Sequence, residues 1–489
     1  MSKKAAPVTS GDWLDRSALE LAGELRARRI SPVELVDAHI ARTQAVNPKI
    51  NALVIDRFEA ARVEARAAEA RLAKASPDDD LPPFLGVPCS IKEYLGLAGL
   101  PQTGGFVRWR DRTAPADGTV VARIRAAGAI PIALTNGPEG GMWMETHNRL
   151  FGRTHNPWDL SRTAGGSSGG EGALVAAGGA AFGLGSDVAG SIRFPAAFCG
   201  VVGHKPSGRL VPNSGHWPTG QGEVEAILVI GPLTRRVADV MPVLRVIAGP
   251  DGKDAYCADS WLGDPEGVSL KDVDVFTLPG AAFVRVDDDM KASVEASARA
   301  LEQRGARRRK LLSPRLKKAV EMWSGVMSVV EDHGFGQRLV DADPGFFAPR
   351  ELLKLALGRS DYTLPTLMLA LVELGKPLIG GRLKKAAALA YELQAELEAA
   401  LGPSGVLLHP PYTRVAPKHL RALATPFDFI CCALFSVLEF PVTQVPLGFQ
   451  RDGLPLGVQV VAGRGGDHLT LAVAQALEDH FGGWVRANP

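Results

Sequence analysis

Glycine and serine are concentrated in one stretch of this chain, residues 165–193, which reads GGSSGGEGALVAAGGAAFGLGSDVAGSIR. Ser167 and Ser168 stand in a first glycine cluster, Ser191 stands in a second, and the stretch contains no histidine. Glycine permits positive φ angles and lets a ligand approach the backbone amides. A serine in such a loop can face a substrate while neighbouring N–H groups face developing negative charge. The stretch therefore indicates a serine hydrolase whose general base is not histidine.

Two other interpretations of this stretch fit the residues less well. A Gly/Ser-rich segment can be a flexible linker, but alanine, leucine, valine and phenylalanine fill the space between the two clusters. Residues 165–169 also match the G-x-S-x-G nucleophile elbow of α/β-hydrolases, which requires a strand that runs directly into the serine. The preceding residues 155–164 are instead a polar segment that contains a proline, so the elbow is disfavoured.

Composition restricts the class of protein and its partners. The chain has 489 residues, of which 46% are hydrophobic and 22% charged, with a formal net charge of +2. These values are typical of a globular protein with a large core, and they predict no nucleic-acid partner. The five cysteines show no CxxC spacing, so neither a disulfide framework nor a zinc site is predicted. Neither glycine cluster is followed by the Lys-Ser or Lys-Thr of a phosphate-binding loop, and no cofactor or metal is expected.

Two further features predict where the protein resides. Residues 1–13 lack the apolar segment of a signal peptide. No stretch of about 18 apolar residues without charge, as a membrane span requires, is present in the sequence. We therefore expect a cytoplasmic protein, a monomer or homodimer without a membrane span, whose partner is a small-molecule substrate.

Helical and strand patterns divide the chain into three parts. Residues 1–75 are predicted to form helices that pack on the core, one of them starting at Ser31 with a capping box. Over residues 76–284 and again over 401–489, short apolar runs alternate with helical segments, which predicts an α/β catalytic core. Residues 285–400 are predicted to form a helical insertion over the active site. The chain is thus expected to form a single catalytic domain with a cap.

Several individual elements are predicted from apolar periodicity. Strands are expected at residues 86–91, 130–134, 178–185, 405–409 and 456–461. Helices are expected at residues 57–74, 119–127 and 468–480. The basic run at residues 304–310 is interpreted as a solvated end of a helix.

Lys92 is the candidate for the missing base. A lysine can activate a serine if its ammonium group is desolvated enough to lose a proton near neutral pH. Lys92 follows the apolar run at residues 86–91, where a lysine seldom lies without a reason. Taken alone, the segment favours a simpler interpretation, in which Lys92 ends a strand, extends to solvent and pairs with Glu93.

Taken together, the motifs resemble those of the amidase signature hydrolases. Residues 165–193 match the family's serine–serine–lysine constellation, and the segment around Lys92 resembles its strand–lysine motif at about the same spacing. The similarity continues through residues 194–207 and 453–463. Further segments resemble the fatty-acid amide hydrolase branch of the second vertebrate type, at residues 156–160, 441–448 and 481–485.

The resemblance implies a fold and a set of catalytic residues. The fold is the α/β amidase signature fold, a central, mixed, twisted β-sheet covered by helices on both faces. Ser191 is implied as the nucleophile and Lys92 as the ultimate base. Ser167, preceded by a cis peptide bond, is implied as the shuttle between them, and Ser168 supports this network.

The resemblance also implies an oxyanion hole, made by the backbone N–H groups of Val188, Ala189, Gly190 and Ser191. One departure from the family pattern lies in this loop, because Gly-Gly usually precedes the nucleophile and this chain has Ala189 before Gly190. A Cβ restricts φ. Alanine is therefore compatible with the loop only if φ is negative at that position.

Substrate contacts are the part of the site that the sequence specifies least. Family members often line their acyl channel with the segment that corresponds here to Gly141, Met142, Trp143 and Met144. Methionine and tryptophan in that segment suggest an apolar, adaptable wall, although packing in the core accounts for them equally well. The 285–400 block contributes further apolar side chains that could cover a cleft, namely Met322, Trp323, Met327, Phe346 and Phe347.

The expected activity is hydrolysis of amide C–N bonds through an acyl-enzyme on Ser191. Hydrophobic or aryl amides are the expected substrates, with esters and carbamates accessible to the same chemistry. One alternative is a urethanase, whose main substrates are carbamates. Another is the amidase subunit of a tRNA-dependent amidotransferase, and a third is a binding protein without catalytic activity.

Overall fold

A computed structural model describes the chain over residues 13–76, 79–220, 222–259, 261–280, 284–311, 313–330, 339, 343–373 and 380–489. Residues 1–12, on which the signal-peptide prediction rests, lie outside the described residues, as do several parts of the 285–400 block.

The helix that begins after Ser31 has the capping signal that the sequence contains. The Ser31 side chain accepts the backbone N–H of Glu34, and the Glu34 carboxylate accepts the N–H of Ser31, so the predicted capping box is confirmed. The α-helices of the described residues are α1 (Ala18–Arg26), α2 (Pro32–Ile50), α3 (Phe58–Lys74), α4 (Thr119–Ala126), α5 (Gly169–Ala176), α6 (Arg193–Cys199), α7 (Val224–Ile227), α8 (Val240–Ile247), α9 (Asp288–Gln303), α10 (Ala319–Val330), α11 (Ala348–Ala356), α12 (Leu364–Glu373), α13 (Gly380–Leu401), α14 (Arg421–Ala424), α15 (Ile430–Val437) and α16 (Asp467–Phe481).

The strands are mostly short and buried. Those of the described residues are β1 (Leu53–Asp56), β2 (Pro88–Lys92), β3 (Ile130–Thr135), β4 (His147–Asn148), β5 (Gly152–Arg153), β6 (Phe182–Asp187), β7 (Val202–Lys205), β8 (Val229–Thr234), β9 (Asp274–Thr277), β10 (Arg307–Arg309), β11 (Gly405–His409), β12 (Val442–Phe449) and β13 (Pro455–Val461).

All of these strands except β4 and β5, which pair with each other, form one large sheet. Its spatial order is β1-β3-β2-β6-β8-β7-β12-β13-β11-β9-β10. The sheet is mixed, because β2 runs parallel to β3 and β6, whereas β8 runs antiparallel to both β6 and β7. This order places the ends of β2 and β6 side by side in the middle of one half of the sheet.

Helices cover both faces of this sheet. Neighbouring residues of a strand point to opposite faces, and the adjacent pair Val275 and Phe276 belongs to two different hydrophobic clusters. The cluster around Phe276 includes side chains of α10, α13 and α15, and the cluster around Val275 includes side chains of α9 and α16. The predicted α/β fold, with a mixed sheet covered by helices on both faces, is confirmed.

Most of the predicted elements agree with the structure to within two residues. The exception among the strands is the one predicted at residues 178–185, since β6 begins at Phe182. Gly178 has a φ of 79°, a left-handed conformation that ends the α5 turn and delays the strand. The first 75 residues also contain a strand, β1, which pairs antiparallel with β3 at the edge of the sheet.

The interpretation of the basic run at residues 304–310 as a helix end is wrong. Helix α9 ends at Gln303, and Arg307–Arg309 form β10, which pairs in parallel with β9. Arg307 and Arg309 project from the same side of this edge strand, and both pair with Asp274. Arg308 pairs with Glu295 of α9. Charge pairing of this kind is consistent with an edge strand that stays exposed.

The 285–400 block is largely helical where the structure describes it. It contains α9 to α13 as well as β10, so part of it belongs to the central sheet. No helix among the described residues combines the length and the apolar character that a membrane span requires.

Candidate active site

Lys92 is the last residue of β2, and its side chain is completely buried. Its amine nitrogen Nζ lies 2.7 Å from Ser167 Oγ and 3.1 Å from Ser186 Oγ. Nζ also lies 4.6 Å from the centre of the Tyr94 ring. The side chain therefore does not extend to solvent, as the simpler interpretation of the segment had it, but points into a network of hydroxyl groups.

Burial changes the acid–base behaviour of this lysine. Removal from water disfavours the charged ammonium form and lowers the pKa of Lys92 to about 7. The carboxylates of Asp187, Glu171 and Glu93 act in the opposite direction and limit the decrease of this pKa. A substantial fraction of Lys92 is therefore neutral near pH 7, as a general base requires.

The first glycine cluster positions Ser167 in front of helix α5. The peptide bond between Gly166 and Ser167 is cis. A Cβ on Gly166 would lie 2.4 Å from the carbonyl oxygen of Trp143, so no larger residue fits there without movement of the backbone. The N–H of Ser168 donates to the carbonyl of Ser191 at 3.0 Å, and its hydroxyl lies 3.3 Å from the backbone of Ser186. Ser168 thereby joins the two glycine clusters.

The loop that carries Ser191 connects β6 to α6 and is organised by a buried ion pair. Asp187, at the end of β6, accepts two hydrogen bonds from the Arg193 guanidinium at 2.9 Å each, and both side chains are completely buried. Asp187 also accepts the backbone N–H groups of Gly190 at 2.6 Å and Ile192 at 3.1 Å. Burial opposes ionisation of Asp187, but the adjacent Arg193 lowers its pKa to about 2. The carboxylate thus holds the loop at several points.

The departure from the family pattern at Ala189 is accommodated by the loop. The positive φ, 122°, falls on Gly190, where a Cβ would lie 2.3 Å from the Phe194 ring. Ala189 does not have a positive φ, so its Cβ causes no backbone strain.

Only some of the amides expected in the oxyanion hole are available in this loop. The N–H of Gly190 is already directed to Asp187. Within the described part of the chain, the N–H groups of Val188, Ala189 and Ser191 have no acceptor.

Ser167 and Ser191 face the same cavity. Ser191 is 8% exposed and Ser167 is 3% exposed. The polar part of the cavity wall also includes Ser186 and His216, and its remaining lining is mostly apolar or glycine: Tyr94, Gly140, Gly141, Met142, Val188, Pro218, Gly220, Val224, Leu228 and Met327. The site therefore combines hydroxyl groups at one end with an apolar wall.

The four residues expected to contact substrate are divided between different places. Gly141 and Met142 line the cavity that contains the two serines. Trp143 lines a neighbouring cavity, which Met142 also borders. Met144 is buried in a cluster with Phe194 and accepts a hydrogen bond from the Tyr412 hydroxyl at 3.7 Å, so its side chain packs in the core.

The structure also shows site residues that sequence reasoning missed. Ser186 adjoins Lys92, and its Oγ lies 3.0 Å from His216 Nε2. Glu171, on α5, is completely buried and accepts the Thr135 hydroxyl at 2.6 Å and the Ser90 hydroxyl; burial raises the pKa of this carboxyl to about 7. The polar pair Ser186 and Asp187 at the end of an apolar run was a signal that could have been used. His216 has no comparable signal.

Comparison with known proteins identifies the family. The family model described as Amidase matches residues 34–471 of the chain. The chain belongs to the amidase signature family. This amidase is 41% identical to human fatty-acid amide hydrolase 2. The alignment is 498 positions long and covers 99% of this chain and 92% of the human protein. It is an amide hydrolase.

More distant relatives show the same family and fold. The amidase is 33% identical to a glutamyl-tRNA(Gln) amidotransferase subunit from Roseiflexus castenholzii, with 94% of each chain covered. Its structure is similar to that of 6-aminohexanoate cyclic dimer hydrolase complexed with substrate, with a TM-score of 0.79 and 27% identity, over 96% of this chain and 97% of the other. Both comparisons extend across the 285–400 block, which the family resemblance in the sequence did not cover.

Proposed function

We propose that this amidase cleaves amides with Ser191 as the nucleophile, Ser167 as the proton shuttle and Lys92 as the general base. The observation that carries this proposal is the 2.7 Å distance between Lys92 Nζ and Ser167 Oγ in a buried site. Ser167 and Ser191 line one cavity. A substrate bound in that cavity meets a nucleophile, a relay and a base in sequence.

In the acylation half-reaction, the neutral amine of Lys92 accepts the hydroxyl proton of Ser167. Ser167 Oγ in turn accepts the hydroxyl proton of Ser191, whose oxygen attacks the substrate carbonyl and forms a tetrahedral intermediate. When that intermediate collapses, the proton returns from Lys92 through Ser167 to the nitrogen of the leaving amine. The C–N bond breaks and the acyl group remains on Ser191.

The deacylation half-reaction uses the same relay, with water in place of Ser191 as the attacking group and Ser191 in place of the amine as the leaving group. A water molecule loses a proton through Ser167 to Lys92, and its oxygen attacks the ester carbonyl of the acyl-enzyme. Collapse of the second tetrahedral intermediate releases the carboxylic acid and returns the proton to Ser191 Oγ.

The tetrahedral intermediates carry a negative oxygen that requires hydrogen-bond donors. The N–H groups of Ala189 and Ser191, which have no acceptor among the described residues, are the donors we propose. Gly190 joins them only if its N–H leaves Asp187, and Val188 completes the set implied by the family resemblance. Loss of one such donor typically lowers the rate by about 10²–10³.

The cavity lining supports hydrophobic or aryl acyl groups as substrates. Met142, Val188 and Met327 contribute apolar surface close to the serines. Apolar walls with a few polar groups at one end favour ligands of the same character. Because the acyl chemistry does not depend on the leaving atom, esters and carbamates fall within the proposal, and a urethanase is its variant in which carbamates are the better substrates.

We also propose that residues 285–400 cover the active site of a single catalytic domain, with residues 1–75 packed on the core formed by 76–284 and 401–489. Met327 of α10 lies in the cavity lining, which supports this role. Of the other apolar residues expected to cover the cleft, Met322 is completely buried and Phe347 is 60% exposed.

The amidotransferase alternative has a distinguishing property. A glutamyl-tRNA(Gln) amidotransferase subunit is 33% identical to this chain, against 41% for fatty-acid amide hydrolase 2. A protein of that kind acts within an assembly, whereas the proposed amide hydrolase acts alone. Hydrolysis of a simple amide by the purified chain therefore favours the proposal over this alternative.

The proposal is tested with matched aryl amides, esters and carbamates that share one acyl group. The unmodified chain is expected to hydrolyse the amides, whereas Ser191→Ala and Lys92→Met each lower kcat by about 10⁴–10⁶. Lys205→Met is the matched control. Lys205 is equally buried, and burial lowers its pKa to about 7. Among the described residues, however, its amine donates to the carbonyls of Pro206 and Phe440 and not to a serine. Full turnover by Ser191→Ala, or equal losses in the two lysine variants per folded molecule, would contradict the assignment.

A further inference from the structure

His216 lies at the far end of a hydrogen-bond chain that leads to Lys92. Its ring nitrogen Nε2 is 3.0 Å from Ser186 Oγ, and Nδ1 is 2.8 Å from the carbonyl oxygen of Pro218. Ser186 Oγ in turn is 3.1 Å from Lys92 Nζ. His216 is 6% exposed, Ser186 is 3% exposed and Lys92 is completely buried, so these hydrogen bonds are shielded from bulk water.

The contact with Pro218 specifies the tautomer of the neutral His216 ring. A carbonyl oxygen only accepts hydrogen bonds, so Nδ1 carries the ring hydrogen and donates it to Pro218. Nε2 then has a lone pair and accepts the hydroxyl hydrogen of Ser186. The Ser186 hydrogen is consequently directed away from Lys92.

With its hydrogen directed to His216, Ser186 presents only lone pairs to Lys92. The amine of Lys92 therefore donates one N–H to Ser186 Oγ at 3.1 Å. A neutral amine has two N–H bonds and one lone pair, and Ser167 Oγ lies at the shorter distance of 2.7 Å. Because an N–H is committed to Ser186, the lone pair is available to the hydroxyl hydrogen of Ser167.

We propose that His216 is a positioning residue that orients the hydroxyl of Ser186 and, through it, the lone pair of Lys92 toward Ser167. This inference rests on the proposed function, in which Lys92 is the base for Ser167. Without the acceptor at Nε2, the hydroxyl hydrogen of Ser186 can rotate toward the lone pair of Lys92. In molecules where it has rotated, the lone pair of Lys92 would accept the hydroxyl hydrogen of Ser186 instead of that of Ser167.

The surroundings of His216 support a defined orientation of the ring. Its backbone forms a bridge with Leu95, three residues after Lys92, and its N–H donates to the carbonyl of Asn213 at 2.9 Å. The ring meets that of Tyr94 edge to face, with 6.1 Å between their centres. Since Tyr94 also contacts Lys92 Nζ, the same aromatic ring packs against both ends of this hydrogen-bond chain, Lys92 and His216.

The first test compares two substitutions at His216. His216→Phe removes the acceptor and is expected to lower kcat about 10- to 100-fold with little change in KM, as small losses of alignment do. His216→Gln retains an acceptor oxygen and is expected to recover most of the activity. His409→Phe is the matched control, since His409 is also buried and hydrogen-bonded through Nδ1 to a backbone carbonyl, that of Leu278 at 2.7 Å.

The second test asks whether His216 acts through Ser186. Ser186→Ala is expected to lower kcat by a similar factor, and adding His216→Phe to Ser186→Ala should have no further effect, because the two residues share one interaction. Losses that multiply in the double variant, a rise in KM at constant kcat, or an unchanged kcat in His216→Phe would each overturn the inference. If His216→Phe does not fold, Ser186→Ala and His216→Gln still decide, because loss of kcat in the first and its retention in the second are both required.

Failure of this inference is distinguishable from failure of the proposed function. If Lys92→Met retains activity, Lys92 is not the base and both ideas are wrong. If Lys92→Met is inactive and the His216 and Ser186 variants behave like the unmodified chain, only the role of His216 is wrong. Labelling of Ser191 by a fluorophosphonate probe measures nucleophile reactivity independently of any amide substrate, and it should fall in parallel with kcat.

Discussion

At the scale of single residues, the proposed chemistry depends on how Lys92 is solvated. Its Nζ contacts two hydroxyl groups and lies near three carboxylates. Burial lowers the pKa of Lys92 to about 7, and the charges of Asp187, Glu171 and Glu93 limit this effect. Desolvation and nearby charge thus place the pKa of Lys92 near neutral pH, where both the charged and the neutral form are populated.

This balance predicts the pH dependence of the reaction. Only neutral Lys92 accepts a proton, and the neutral fraction grows as pH rises through the pKa of about 7. We therefore expect kcat/KM for an amide to increase from about pH 6 to about pH 8 and then level off. Steady-state rates across this range, with stability checked at each pH, measure the effect. A profile that is flat or falls with pH would contradict the role of Lys92.

Glu171→Gln tests whether the rise of kcat/KM with pH comes from Lys92. Removal of the carboxylate takes away a charge that stabilises protonated Lys92. The pKa of Lys92 therefore falls, and the rise of kcat/KM moves to lower pH. If the rise of kcat/KM stays at the same pH, it reports the titration of a group other than Lys92. Because Glu171 itself has a pKa raised by burial to about 7, the unmodified enzyme reports an apparent value that belongs to the pair.

At the scale of elements, the turn between β6 and α6 depends on the buried pair of Asp187 and Arg193. The guanidinium also donates to the carbonyl of Cys432 at 2.9 Å and to the Ser436 hydroxyl at 2.7 Å. These bonds connect the turn to α15. A buried ion pair is costly to desolvate, but the loss of one partner leaves an unpaired charge and is more costly still.

Arg193→Met tests this connection. It leaves Asp187 buried without its counter-charge and is expected to lower the free energy of unfolding by about 3–5 kcal/mol, as measured by chemical denaturation. Arg464→Met is the matched control, because its pair with Glu398 is exposed, with 48% and 32% of the two side chains accessible. Loss of that pair should cost less than about 1 kcal/mol. Equal losses in the two variants would show that the buried pair has no special role.

At the scale of the whole molecule, Glu139 connects the loop at residues 139–142, here called the active-site loop, to the 285–400 block. Glu139 is buried, and the segment around it includes Gly141 and Met142 of the cavity wall. Its carboxylate accepts the N–H and the hydroxyl of Thr363, both at 2.9 Å, and the hydroxyl of Thr366. These residues stand at the start of α12, and burial raises the pKa of the Glu139 carboxyl to about 7.

Glu139→Ala should therefore loosen α12 and disturb substrate binding together. We expect faster backbone hydrogen exchange across residues 363–373 and a higher KM, because the hydrogen bonds of Thr363 and Thr366 to Glu139 are lost and each contributes about 0.5–1.5 kcal/mol. Glu351→Ala is the matched control, since Glu351 is a buried carboxylate of the same block that contacts Lys354 and Ser360 rather than the active-site loop. Unchanged exchange across α12 in Glu139→Ala, or an equal rise in KM in Glu351→Ala, would contradict this connection.

Local sequence patterns predicted most elements of the core. The strand at residues 405–409 and the helix at 468–480 follow from apolar periodicity, which acts over a few residues. The basic run at 304–310 did not follow local rules. Its assignment as the edge strand β10 depends on the neighbouring strand β9 and on Asp274, neither of which lies within the run.

The candidate site divides in the same way. Lys92, Ser167 and Ser191 were readable because the motifs that carry them resemble those of the amidase signature family. The core position of Met144 and the contact of His216 with Ser186 were not readable, because each depends on residues distant in the chain.

The sequence by itself determined the mixed α/β architecture, because apolar periodicity acts locally, and its motifs determined the family, whose resemblance implied the three residues proposed for catalysis. Only the tertiary structure decided how Lys92 is solvated and which groups orient it. Those properties arise where β2 and β6 lie side by side and where the segment carrying His216 crosses the end of β2. Desolvation and hydrogen-bond direction depend on everything that surrounds a group in space, and the chain brings those surroundings together only on folding.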